Sequence, residues 1–145
     1  MTTLRNALVF CLPPVLWMIF ISPVNDLLTS HRTSSLIMPL ITWLLPRASQ
    51  HTSETLHILL RKTGHFLEYA FLAFLLFRGF RGSKKTLQFT WILYAGLISL
   101  GYSAMDEYMQ TFIPARTGSF YDWLIDSLGI LFALGILSGK HKKGS

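Results

Sequence analysis

The chain has 145 residues, room for one domain; 51% of them are hydrophobic and only 14% are charged, giving a mean hydropathy of +0.43. A soluble domain carries about 25% charged residues, so this composition argues against an ordinary soluble fold and for a membrane protein. The net charge of +6 does not point to nucleic acid, because the basic residues fall in short interhelical stretches and at the tail, with no basic face and no RNA-binding signature.

The first apolar run, residues 7–24, follows Arg5 and is interrupted or ended by Pro13-Pro14 and Pro23. A cleaved signal peptide fits the same pattern, but no small-residue A-x-A site follows and the run exceeds a usual h-region. A kinked transmembrane helix is the expectation. Cys11, the one cysteine, lies inside this run, so no intramolecular disulfide forms and the residue reads as a small core side chain. Residues 25–53 read as a long loop holding a second apolar stretch, 36–45, with Pro39 inside it and Trp43 near its end. Such a stretch reaches only about 15 Å as a helix against a hydrocarbon core of about 30 Å, so it is expected to be interfacial or re-entrant.

The next helix is expected to open at Thr52 or Ser53, both good N-caps, and to run to about residue 80. Its uncharged part, 69–77, is short. A span must therefore take in Arg61, Lys62, His65 and Glu68 near one end, with Arg78 and Arg81 closing the other. The third run, 86–105, is free of charge over the length of about 20 residues that a span needs, and it stops at Asp106-Glu107. The fourth, 120–137, is followed by Lys140, Lys142 and Lys143. Gly96, Gly101, Gly129 and Gly135 suit close helix packing in lipid. The expected fold class is all-α: a polytopic membrane protein in one domain, an antiparallel bundle of four transmembrane helices with a short interfacial or re-entrant segment between helices one and two.

Connectivity then places the charges. Spans joined by short loops run antiparallel, so the start of span two, the end of span three and the start of span four share one membrane face. With the N-terminus inside, eight Lys and Arg residues lie on the cytoplasmic side and five (Arg32, Arg47, Arg61, Lys62 and Arg116) on the outer side. The positive-inside rule then puts both termini in the cytoplasm and the charged face outward.

A carboxylate in or beside a membrane segment is costly unless paired, wetted or functional, which makes the acidic residues here informative. Lys62, His65 and Tyr69 are spaced by three and four residues and form one helix stripe, with Glu68 near its edge. A ligand-facing row and an interfacial helix end with a snorkelling lysine both fit that stripe. Asp106, Glu107 and Gln110 follow the third run; paired acids at a helix C-terminus oppose the macrodipole and call for a cationic partner such as Lys62 or Arg116. Pro114 and Gly118 form a turn presenting Arg116. Ser119 to Asp122 has the form of a capping box, which gives Asp122 a structural alternative. Asp126, one turn deeper, lies where capping does not reach.

These residues in order resemble the VanZ-like family of bacterial membrane proteins. Its pattern is a Lys-x-x-His-x-x-x-Tyr stretch, an Asp-Glu-x-x-Gln stretch, a Pro-x-Arg turn, and then an Asp, an Asn four later and a Gly three after that. The corresponding residues are Lys62, His65, Tyr69; Asp106, Glu107, Gln110; Pro114, Arg116; and Asp122, Asp126, Gly129. Asp126 departs from the pattern, standing where Asn is usual. The resemblance implies a small integral protein of the bacterial cytoplasmic membrane linked to the cell envelope, in a family whose namesake is associated with resistance to teicoplanin-type glycopeptides.

The leading functional expectation is a protein that binds or modulates a lipid-linked envelope component or a glycopeptide antibiotic at the extracytoplasmic face. Its ligand-binding set would be Lys62, His65, Tyr69, Asp106, Glu107, Gln110, Arg116, Asp122 and Asp126. The alternative is an intramembrane hydrolase or transferase on a lipid-linked substrate, with His65, Asp106 and Glu107 as acid/base candidates. Oxygen-rich sets suit magnesium or manganese, but no established metal spacing is present, so no metal and no cofactor are assigned. Proton-coupled transport ranks third, since four helices leave little room for alternating access. Expected partners are membrane lipids and a lipid-linked cell-wall precursor or glycopeptide, not nucleic acid; oligomeric state is left open.

Overall fold

A computed structural model describes residues 5, 8–22, 39–47, 49–82, 84, 88–112 and 118–142, and these are helical or connecting, with no strand among them. Four principal helices follow in order: α1 (Leu12–Ile21), α2 (Gln50–Arg81), α3 (Phe89–Gln110) and α4 (Phe120–Lys142). One of them, over Phe120–Gly139, is long and apolar enough to cross a membrane by composition and length.

The first run is interrupted at Cys11, just ahead of Pro13 and Pro14. They stand in the first turn of α1, where proline loses no intrahelical hydrogen bond and its fixed φ favours the start of a helix. Residues 8–10 form a helical piece ahead of them, and the apolar helix Leu8–Ile21 is accordingly short. The end of the expected run, from Pro23, and the first residues of the 36–45 stretch lie outside the described residues. Residues 39–44 are helical, with Ile41 buried and Leu40, Trp43 and Leu44 exposed.

Helix α2 opens slightly earlier than expected, at Gln50, because Ser49 caps it by accepting the Thr52 N–H at 3.2 Å. Its C-cap is Gly82, whose φ of 55° is one that glycine adopts without a Cβ penalty. Helix α3 continues one turn beyond Asp106-Glu107, to Gln110. The two acids are therefore not a solvated helix end. They belong to the inward face of α3.

Cross-helix contacts set the directions. Phe10 abuts Gly79 and the Trp17 indole donates to the Glu68 carbonyl, so α1 runs antiparallel to α2. Lys62 meets Asp122 and Phe66 meets Gly129, so α2 and α4 run parallel. Glu107 meets Ser119, Ser103 meets Asp126 and Gly96 meets Leu134, so α3 lies antiparallel to α4. Helix α2 packs most extensively on α4, and Tyr102 of α3 ties to α1 by donating to the Met18 carbonyl at 2.6 Å.

The interior is divided by depth. Leu72, Ala73, Leu76 and Phe77 of α2, Trp91 and Ala95 of α3, and Ile130 and Leu134 of α4 form an apolar core. Beyond Tyr69, toward the end where α2 and α4 begin, the buried side chains become polar: His65, Ser103, Asp106, Glu107, Gln110, Asp122 and Asp126. The outside shows the reverse, with Leu, Ile and Phe side chains exposed along all four helices.

Candidate functional site

The polar end is assembled by helical periodicity. Steps of three and four residues keep Lys62, His65 and Tyr69 on one face of α2. On α3 the inward face runs through Ala95, Ser99, Ser103, Asp106, Glu107 and Gln110, all buried. Helix α4 supplies Asp122 and Asp126 from successive turns, both buried.

At the rim, Asp122 is held by two cations of α2. Lys62 Nζ donates to its Oδ1 at 2.8 Å and Arg61 Nη2 to its Oδ2 at 3.1 Å. The Asp122 side chain is 7% exposed, whereas those of Arg61 and Lys62 are 48% and 34% exposed. Each cation has more N–H donors than Asp122 engages. This bridge replaces the capping box expected at Ser119–Asp122. The carboxylate turns toward α2, where charge-assisted donors offer a stronger bond than a local backbone amide. The Ser119 N–H is taken by Glu107 Oε2 instead, at 2.7 Å.

One turn deeper, the Ser103 hydroxyl donates to Asp126 Oδ2 at 2.6 Å. His65 Nδ1 stands 3.3 Å from Asp126 Oδ1, without the alignment of a hydrogen bond. Glu107 is bonded through Oε2 only; its Oε1 is buried with no hydrogen-bond partner. Each of His65, Glu107 and Asp126 offers one donor atom within 4.8 Å of the others. Glycine permits this closeness. Gly129 lies against the Phe66 carbonyl and Gly118 against the Glu107 carbonyl, where any Cβ would collide with backbone. Tyr69 is buried beside Asp106 and Asp126, and Gln110 Nε2 donates to Asp106 Oδ2 at 3.1 Å.

The structure thus gathers Lys62, His65, Tyr69, Asp106, Glu107, Gln110, Asp122 and Asp126 at one end of the α2–α3–α4 interior. Arg116 and Pro114 lie outside the described residues. Sequence reasoning missed Ser103, and it placed Arg61 at this end without including it in the ligand-binding set. Arg61, one residue from Lys62, sits off the helix stripe, and only its long side chain brings it to Asp122. Ser103 carries no charge and hides in an apolar run; the four-residue step Ala95–Ser99–Ser103–Glu107 is the signal that finds it.

On the outside, deeper than the rim, α2 and α4 frame an open apolar groove of about 350 Å³, lined in part by Leu67, Phe71, Phe74, Phe132, Ile136 and Leu137.

Fold and site together define a class: a small all-helical protein that is apolar outside and carries a charged, hydrogen-bonded interior at one end. A family model described as VanZ/LLP1 matches residues 8–140, and the chain belongs to that family. No curated protein and no solved structure matches it.

Proposed function

We propose that the chain is an integral protein of the bacterial cytoplasmic membrane that binds the anionic headgroup of a lipid-linked cell-envelope component at the extracytoplasmic face. Family membership supports a place in the envelope. The exposed apolar side chains along every helix fit a lipid surround, and the buried polar end fits a bundle that satisfies its charges internally. Counting back about 20 residues, the length of a span, from Arg81 at the end of α2 reaches Lys62. Arg61, Lys62 and Asp122 then sit at headgroup level. Helices α3 and α4, about 33 and 35 Å long at 1.5 Å per residue, match a core of about 30 Å. In this arrangement α2, α3 and α4 cross the membrane, while α1, about 15 Å over Leu12–Ile21, covers half its thickness, and the lysine and arginine distribution favours cytoplasmic termini.

The observation that carries the binding role is the rim. Arg61 and Lys62 are anchored by Asp122 yet half and one-third exposed, which pre-positions N–H donors for phosphate. The apolar groove deeper on the same two helices is suited to the lipid's hydrocarbon chain.

The test is incubation of purified protein with an isotope-labelled lipid II analogue, followed by mass analysis of the retained lipid. Unchanged lipid is expected on the wild type, with retention at least about tenfold lower in the Arg61→Gln/Lys62→Gln variant, since one charged hydrogen bond contributes roughly 1.5–3 kcal/mol. Equal retention by both proteins contradicts a binding site at the rim. A mass-shifted product that is absent with His65→Ala replaces binding by catalysis, with the protein acting as a hydrolase or transferase.

A further inference from the structure

The three groups below the rim form a constellation that headgroup binding does not use. His65 Nδ1, Glu107 Oε1 and Asp126 Oδ1 are buried and have no hydrogen-bond partner among the described residues. The Glu107 and Asp126 residues are 6% and 0% exposed. Each carboxylate is fixed through its other oxygen, Asp126 Oδ2 by the Ser103 hydroxyl and Glu107 Oε2 by the Ser119 amide. These anchors leave one oxygen of each carboxylate buried without a hydrogen-bond partner, that of Asp126 beside the imidazole nitrogen. One donor atom of each residue lies within 4.8 Å of the other two, and the two carboxylates need a positive charge between them, from an imidazole proton or a bound cation. The rim cations are engaged with Asp122, one helical turn nearer the start of α4 than Asp126.

We propose that His65, Glu107 and Asp126 bind one divalent cation of the zinc or manganese class. One imidazole nitrogen and two carboxylate oxygens form a borderline donor set, and two negative charges balance the ion. Donors about 2.1 Å from a tetrahedral ion lie about 3.4 Å apart. His65 Nδ1 and Asp126 Oδ1, at 3.3 Å, already have that spacing. The Glu107 donor atom lies within 4.8 Å of the other two. Ser103 and the Ser119 amide are the outer partners that orient the ligands, as found around bound metals generally. The His65 side chain, 11% exposed, marks the way in from the rim. Three protein ligands leave a coordination position for water or an incoming oxygen. This assignment is independent of the lipid headgroup at Arg61 and Lys62.

Tag-free full-length protein, stripped with chelator and then equilibrated with zinc, manganese and magnesium together, tests the proposal by elemental analysis after buffer exchange. The wild type is expected to retain about one zinc or manganese per chain, without magnesium, and to unfold at higher temperature when the retained metal is present. Asp126→Asn, which keeps the shape and an acceptor for Ser103, and Glu107→Gln should each weaken retention at least about tenfold, no less than the loss of an outer partner does. Less than about a tenth of an equivalent on folded wild type overturns the site. So does equal retention by wild type and both variants, which assigns the metal to exposed histidines such as His51.

Discussion

Gly129→Ala is expected to destabilise the bundle by about 3 kcal/mol, the upper end of what overpacking costs. The new Cβ would meet the Phe66 carbonyl, a backbone atom that cannot rotate away as a side chain would. Helices α2 and α4 would have to separate, and the separation would fall where His65 meets Asp126 and one turn below the Lys62–Asp122 bridge. Gly101→Ala and Gly135→Ala are the matched controls. Nothing lies within 4 Å of the Cβ at either position, so alanine's helix propensity should leave stability equal or slightly higher. Thermal unfolding in detergent compares the three variants, and similar losses at all three positions would contradict the close α2–α4 approach.

Asp126→Ala is expected to cost about 2–6 kcal/mol in chelator-treated protein, because it strands two buried partners at roughly 1–3 kcal/mol each. Ser103, fully buried, loses its acceptor, and the His65 imidazole loses the carboxylate beside it. Asp126→Asn should cost about 1 kcal/mol or less, since its amide oxygen still accepts from Ser103 in the same shape. Equilibrium unfolding of the metal-free variants measures both. Equal loss for Ala and Asn would show that the charge of Asp126, rather than the hydrogen bond it accepts, stabilises the fold.

Much of this arrangement is legible in the sequence because helix direction alternates. Residues that open one helix, close the next and open the one after share an end, and Lys62, Glu107 and Asp122 meet for that reason. Periodicity likewise places His65 and Tyr69 on the stripe begun by Lys62. Legibility fails where a local rule competes with a tertiary one. Ser119 and Asp122 have the spacing of a capping box, yet each finds a charged partner on another helix. An apolar run marks where hydropathy drops, not where a helix ends, so α3 carries Asp106 and Glu107 inside its last turns. The Trp17 indole on the Glu68 carbonyl and the Tyr102 hydroxyl on the Met18 carbonyl join positions far apart in the chain with no sequence signature. Such links matter in lipid, where apolar packing has no hydrophobic drive and polar contacts help to hold helices together.

The proposed outward placement of the charged rim is tested most directly by cysteine labelling in intact cells with a membrane-impermeant thiol reagent. Cys11 is exposed, so the variants are built on Cys11→Ser. Gln50, at the start of α2, and Gln88, just before α3, are exposed at opposite ends of the bundle. Cysteine at position 50 should be tagged in intact cells, and cysteine at position 88 only after permeabilisation. The reverse pattern would put Arg61, Lys62 and Asp122 at the cytoplasmic face and contradict a binding site for an extracytoplasmic headgroup.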